Sequence, residues 1–345
     1  MNNFKGKKNV SVSIFCVVVI FTIICVFTFS SYANGLQRND EKASSAPNIV
    51  EQLNLHANFD RTYIPISTNN KETIRTSNEQ IALATSSINI SVHSQALNKE
   101  YYIKLYNTNG DTVGVHDNAY FTSSTNNTYN EVTRFFDGGF QRSFILNNQN
   151  APEMYKCRFE IPEGYKFKYS IDETTGEPDG SIELVDTMNN PVAAILKPWA
   201  IDNAGTPVDT KYIINGSTII QTVLHQNKNY TYPIIADPSA QYNKWFSGTK
   251  WVKNPAGWTL SVDPSASLIN SLYEKKGSAT ASVTNTSWNV LYNQHHSSSH
   301  WKNTNGLKDQ YKCHVYNAPN KSKWNLDTWR PDVGYLKTVL HACNP

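Results

Sequence analysis

The chain is poor in charge, poor in sulfur and without any of the common nucleotide or nucleophile motifs. Asp, Glu, Lys and Arg make up only 17% of its 345 residues, while aromatic residues reach 12%. That balance excludes collagen-like and coiled-coil proteins and argues against a fully disordered chain. No Gly-x-Ser-x-Gly elbow is present, so nothing points to an α/β-hydrolase. The glycine patterns of P-loop and dinucleotide-binding folds are missing too. Beyond residue 33 no hydrophobic run approaches the ~20 residues that a membrane-spanning helix needs. Of five cysteines, Cys16 and Cys25 lie near the N-terminus, leaving Cys157, Cys313 and Cys343. Three thiols allow one internal bridge and one leftover.

What is there begins with an export signal. Lys5, Lys7 and Lys8 precede an apolar run over residues 10–29, and Ser31-Tyr32-Ala33 supplies the small residues that a signal peptidase reads. The expected cut follows Ala33, with an uncleaved membrane anchor over residues 1–33 as the alternative. Cys25 lacks the small preceding residue of a lipoprotein site. The expected location is therefore secreted or extracytoplasmic and membrane-anchored. Export permits a disulfide. Cys313 and Cys343 share the C-terminal segment and are expected to pair, with fully reduced thiols as the alternative. Closing such a loop is worth about 3–4 kcal/mol in the chain-entropy model. Cys157 sits in an alternating strand over 155–161 and reads as a small buried residue.

Charge is divided unevenly. From Ser239 onward, eleven lysines and Arg330 stand against five acidic residues, a net +7; residues 34–238 carry −7. Opposite signs suggest either that the two parts dock on each other or that they meet different partners. A basic C-terminal part suits an anionic wall polymer or membrane surface, with no nucleic-acid motif present; the plainer reading scatters these charges over two solvated surfaces. Tryptophan is skewed likewise: Trp199 alone precedes the boundary and seven follow it. These rings suit either sugar stacking or core filling, and core filling is expected for most of them.

Four parts follow from the pattern: a signal over 1–33, a polar leader over 34–60, a β-rich domain over 61–238 and a basic, Trp-rich domain over 239–345. The expected fold is mainly β, an antiparallel sandwich or meander followed by a small α+β domain. The hairpin signal is strongest around Asn215-Gly216, the preferred type I′ pair. Helical spacing is found over 265–275, 279–293 and 332–342.

Several runs bear a resemblance. Pro198-Trp199-Ala200-Ile201-Asp202-Asn203-Ala204-Gly205, then Tyr212, Asn215-Gly216, Gln221 and His225, closing on Tyr232-Pro233-Ile234-Ile235-Ala236-Asp237-Pro238, resemble a region common in secreted proteins of Gram-positive bacteria. Asp309-Gln310-Tyr311-Lys312-Cys313-His314, Trp324-Asn325-Leu326-Asp327-Thr328-Trp329-Arg330-Pro331 and the closing Cys343-Asn344-Pro345 look like an uncharacterised C-terminal domain family of such proteins. The resemblance implies a secreted or surface-attached bacterial protein and supports the Cys313–Cys343 pair. It implies no activity.

No catalytic residue is assigned and no cofactor is expected. His296 and His300 would share a helix face as zinc ligands do, but the Glu of a metalloprotease motif is absent and the intervening serines favour a loop. Adjacent Cys313 and His314 make a poor nucleophile–base pair. The best binding candidates are Trp324, Asp327, Trp329, Arg330 and His314. Arg330 is suited to grip a carboxylate or phosphate, or else to form a structural pair with an aspartate under an aromatic lid. The leading expectation is a non-enzymatic surface- or wall-binding protein. The alternatives are a secreted antibacterial or toxin-like effector released by cleavage near Asp237-Pro238, and a wall-directed hydrolase.

Overall fold

Short alternating runs punctuated by Gly, Asn and Pro build strands through most of the chain. The computed structural model describes residues 53, 63–64, 73–75, 79–84, 87–94, 99–106, 112–116, 118–124, 126–272 and 280–345. The signal expected over 1–33 and, Leu53 apart, the leader over 34–60 lie outside these residues.

In chain order the strands begin with β1 (Thr73–Arg75), β2 (Glu79–Ala84), β3 (Ser87–Ser94), β4 (Lys99–Tyr106), β5 (Thr112–His116), β6 (Ala119–Ser123) and β7 (Tyr129–Phe136). They continue with β8 (Gly139–Leu146), β9 (Met154–Glu160), β10 (Lys166–Asp172), β11 (Glu177–Val185), β12 (Pro191–Ile195) and β13 (Trp199–Ile201). Next come β14 (Thr210–Asn215), β15 (Thr218–Val223), β16 (Ile234–Asp237) and β17 (Ser239–Gln241). One sheet has the order β1-β2-β3-β4-β9-β15-β14. A second, ten-stranded sheet runs β10-β11-β12-β17-β8-β7-β6-β5, with β16 also on β8 and β13 on β16. Neighbouring strands pair antiparallel, as β7–β8 and β9–β15 illustrate.

Alternation decides what each face meets. In β9, Tyr155, Cys157 and Phe159 are buried, while Lys156, Arg158 and Glu160 face outward. The inward residues join Phe144, Leu146, Phe167 and Ile182 of the other sheet in one core, so the two sheets form a sandwich. An Arg142–Glu131 ion pair at 2.5 Å lies buried inside it. Burial pushes the Cys157 thiol up to about 12, which leaves it protonated and inert.

The β14–β15 hairpin forms, but its turn falls one residue later than the Asn-Gly reading. Asn215 pairs with Thr218, so Gly216 and Ser217 are the central residues. Only Gly216 has positive φ, at 58°, which is the pattern of a type II′ turn rather than type I′.

The C-terminal part adds β18 (Phe246–Asn254), β19 (Gly257–Pro264) and β20 (Trp324–Asp327) as a sheet in that order. Its helices are α1 (Ala266–Leu272), α2 (Ala281–His295), α3 (Thr304–Asn317) and α4 (Tyr335–Leu340). A second core unites Leu260 and Val262 of β19, Val290 and Leu291 of α2, and Tyr311 of α3 with Trp324. Ala194 and Leu196 of the large sheet belong to it too. Around β12 the two faces separate: Ala193 and Ile195 enter the sandwich core, Ala194 and Leu196 the second.

Helix α2 has no side-chain cap of its own at Thr280. The Asp179 carboxylate of β11 instead accepts from the Ala281 N–H at 2.8 Å, and Asn285 donates to Glu183 at 2.9 Å. Lys308 and Lys312 of α3 pair with Glu173 at 2.5 and 3.6 Å, and Lys244 with Asp137 at 3.5 Å. Residues 50–345 form one compact unit. The large sheet also runs past the boundary expected at 238, since β17 pairs with both β8 and β12.

Cys313 in α3 and Cys343 are bonded, with Cα atoms 5.4 Å apart. No helix among the described residues is long and apolar enough to cross a membrane.

Candidate functional site

Three loops meet at one end of the small sheet: the turn joining β18 to β19, the connection from α2 to α3, and the segment after β20. Backbone register brings the first and third together, because the Thr328 N–H and hydroxyl both donate to the Trp258 carbonyl at 3.0 and 2.8 Å. Asn303 ties in the second by donating to the Arg330 carbonyl at 2.8 Å. The same Asn303 caps α3 by accepting from the Gly306 N–H, so one side chain starts the helix and fixes the loop.

Aromatic rings fill the junction. Trp258 stacks on His300 with centroids 3.8 Å apart and planes 19° from parallel. Trp251 meets His295, His300 and Trp301 edge-on, and Trp301 meets Trp288. Lys253 places its ammonium 5.2 Å from the Trp258 ring. Trp329 lies against the turn, and the absence of a side chain at Gly257 makes room for it: a Cβ there would come 2.8 Å from the Trp329 Cβ. Trp329 is 42% exposed, and the Arg330 guanidinium sits 4.4 Å from its centroid. Lys253 and Lys302 are exposed, and among the described residues no ion pair neutralises them. The end of the sheet thus offers half-buried ring faces rimmed by cations.

Each candidate residue now has a place. His300 stacks on Trp258 on the core side of the small sheet, while Trp329 and Arg330 lie at the turn toward the opposite side, the side to which the register assigns Asp327. Asp327 is buried beneath them, accepting from Thr259 Oγ1 at 2.5 Å and Arg330 Nε at 2.6 Å. A second Arg330 nitrogen donates to the Pro345 main-chain oxygen at 2.9 Å. This is the structural aspartate pair under an aromatic lid. Trp324 and His314, by contrast, face each other inside the second core with planes 2° from parallel, out of reach of a ligand. Burial drives the His314 pKa down to about 4, with Lys321 adding to the effect.

His296 and His300 are not brought together. Helix α2 ends at His295, so the i, i+4 face they need does not exist. His296 stacks on Tyr292 and His300 on Trp258. Among the described residues no group of three His, Cys, Asp or Glu side chains could hold a metal ion. His295 bonds Thr249 at 2.9 Å, and burial lowers its pKa.

Lys253, Trp258, Trp301, Lys302 and Gly257 belong to no motif in the sequence that marks them as site residues. The skew of tryptophan beside lysine was the available signal. Of the seven C-terminal tryptophans, Trp245, Trp288 and Trp324 are buried, Trp251, Trp258 and Trp301 half-buried, and Trp329 exposed.

The fold and this site define a β-sandwich carrying an α+β module with an aromatic, cationic loop junction. Residues 246–345, which hold the small sheet and helices α1 to α4, match the model of a family described as a protein of unknown function (DUF2599). No curated protein matches the chain, and no solved structure does.

Proposed function

We propose that this is an exported, non-enzymatic protein that binds an anionic polymer of a bacterial cell surface through the three-loop junction of its C-terminal module. The observation that carries this reading is the Lys253–Trp258–His300 arrangement at the end of the small sheet, with Trp329 exposed at the adjoining turn and Lys302 unneutralised in the connection from α2 to α3. Ring faces stack on sugar rings, and ammonium groups meet phosphate or carboxylate along the polymer. The match of residues 246–345 to a family without assigned activity is compatible with a binding role. Release of an effector by cleavage at Asp237-Pro238 is disfavoured. Asp237 is fully buried in β16, next to β17 in the same sheet, so a protease meets no exposed chain there.

The test is co-sedimentation of the full chain with purified Gram-positive cell walls over a salt gradient. Binding is expected to weaken steadily as salt rises, because exposed charges are screened beyond about 10 Å at 0.1 M. Salt-indifferent binding, or none at low salt, overturns the reading. Equal binding to anionic lipid vesicles lacking wall polymer would move the ligand to the membrane surface.

A further inference from the structure

The Arg330 guanidinium is the most deeply set cation of the junction, and the chain itself occupies it. One nitrogen holds Asp327, another holds the Pro345 oxygen, and the third has no partner among the described residues. An oxygen on one edge of a guanidinium is what a carboxylate or phosphate ligand would supply. Among the described residues no strand pairs with Pro345. Its tethers are the Asn344 N–H, which donates to the His341 carbonyl at 3.0 Å, and Cys343, two residues earlier, bonded to Cys313 on the buried side of α3. Ala342 and Cys343 both have positive φ, at 51° and 67°, which turns the chain back after the short helix α4 and brings residues 344–345 toward Arg330.

We propose that residues 344–345 act as a displaceable plug at the anion site and that the Cys313–Cys343 bond holds the plug in place. This rests on the reading of the junction as an anionic-polymer site and gives that site a redox control. With the disulfide formed, an incoming oxyanion must displace the Pro345 oxygen from Arg330. A dithiol reductant transfers two electrons and two protons to the bond, leaving two cysteine thiols and a disulfide on the reductant. Residues 343–345 are then held by the Cys343 and Asn344 N–H bonds to the Thr338 and His341 carbonyls and by Arg330 itself, and the Arg330 edge opens more readily. Both half-cystines are buried, so access of the reductant limits the rate of the exchange.

The experiment titrates inorganic polyphosphate, as a probe oxyanion, into three forms of the full chain and follows tryptophan fluorescence. The forms are the oxidised protein, the same protein after dithiothreitol, and a chain ending at Cys343, which keeps the disulfide and lacks the plug. Reduced and shortened chains should bind about tenfold more tightly than the oxidised one, close to the worth of one charge-assisted hydrogen bond. Arg330→Gln should erase that gain. If reduction unfolds the module, shown by loss of near-UV circular dichroism, the shortened chain alone decides. Equal affinity in oxidised and shortened chains, with Arg330→Gln still weakening both, overturns the plug and leaves the site standing. Affinity unaffected by Arg330→Gln and by Trp258→Ala in all three forms overturns the site itself.

Discussion

Acidification should loosen the C-terminal module through one residue, His314. Its ring is 3% exposed, packed parallel to Trp324 in the second core. Burial, reinforced by Lys321 and only partly opposed by the Asn325 backbone and Asp327, holds its pKa near 4. An unfolded histidine titrates near 6.5. Between these values the unfolded chain binds a proton that the folded chain refuses, so stability rises with pH there. The contribution is fully present above about 6.5, is lost as pH falls toward 4, and has no further slope below that. A gap of about 2.5 units at 1.36 kcal/mol each amounts to about 3 kcal/mol. The half-buried His295, whose pKa partial burial also lowers, adds a loss of the same sign. The assay is urea unfolding monitored by tryptophan fluorescence from pH 7 to pH 4, comparing the native chain with His314→Gln. The native chain should lose about 3 kcal/mol more over that interval than the variant. Identical pH slopes in the two proteins would refute the assignment.

Other consequences are equally direct. Trp324→Ala empties the centre of the second core, where the ring is fully buried, and should cost about 3–5 kcal/mol by chemical denaturation. Asp179→Ala removes the carboxylate that caps α2 and its pair with Lys197 at 3.3 Å; a loss of about 1–2 kcal/mol is expected by the same method. Gly257→Ala forces Trp329 off the β18–β19 turn. It should blue- or red-shift tryptophan emission and weaken wall binding, whereas an unchanged spectrum would mean the ring is not seated there. Cys313→Ser should lower the unfolding free energy by about 3–4 kcal/mol, the entropy of the 30-residue separation it closes.

How much of this was legible before the structure depends on where the information sits. Strands such as β9 announce themselves, because Tyr155, Cys157 and Phe159 alternate with charged residues and the sheet needs only that period. The Cys313–Cys343 pair was equally plain once an oxidising setting was read from the first 33 residues. Helix α3 was not anticipated. Its buried face mixes Leu307, Tyr311 and Val315 with Gln310, Lys312 and His314, so the apolar period is diluted by polar residues that the core accommodates. The Asn303 cap and the spacing of Leu307, Tyr311 and Val315 were its available signals.

The segment from Trp324 to Arg330 carried two messages that sequence could not separate. Trp324 and Leu326 are inward residues of β20, while Trp329 and Arg330, just past the strand end, belong to the surface. Their different fates follow from where the strand stops. The junction itself was the least legible feature, because Trp258, His300 and Trp329 are brought to one end of the sheet by strand register and by Asn303, neither of which leaves a mark in local composition.

The central claim is that the three-loop junction, and no other face, holds the anionic polymer. Its most direct measurement is the binding isotherm of the full chain on isolated walls at low salt, set against Lys253→Gln/Trp258→Ala. The account predicts that the double variant, folded by circular dichroism, loses most of its affinity. An isotherm superimposable on that of the native chain would contradict it.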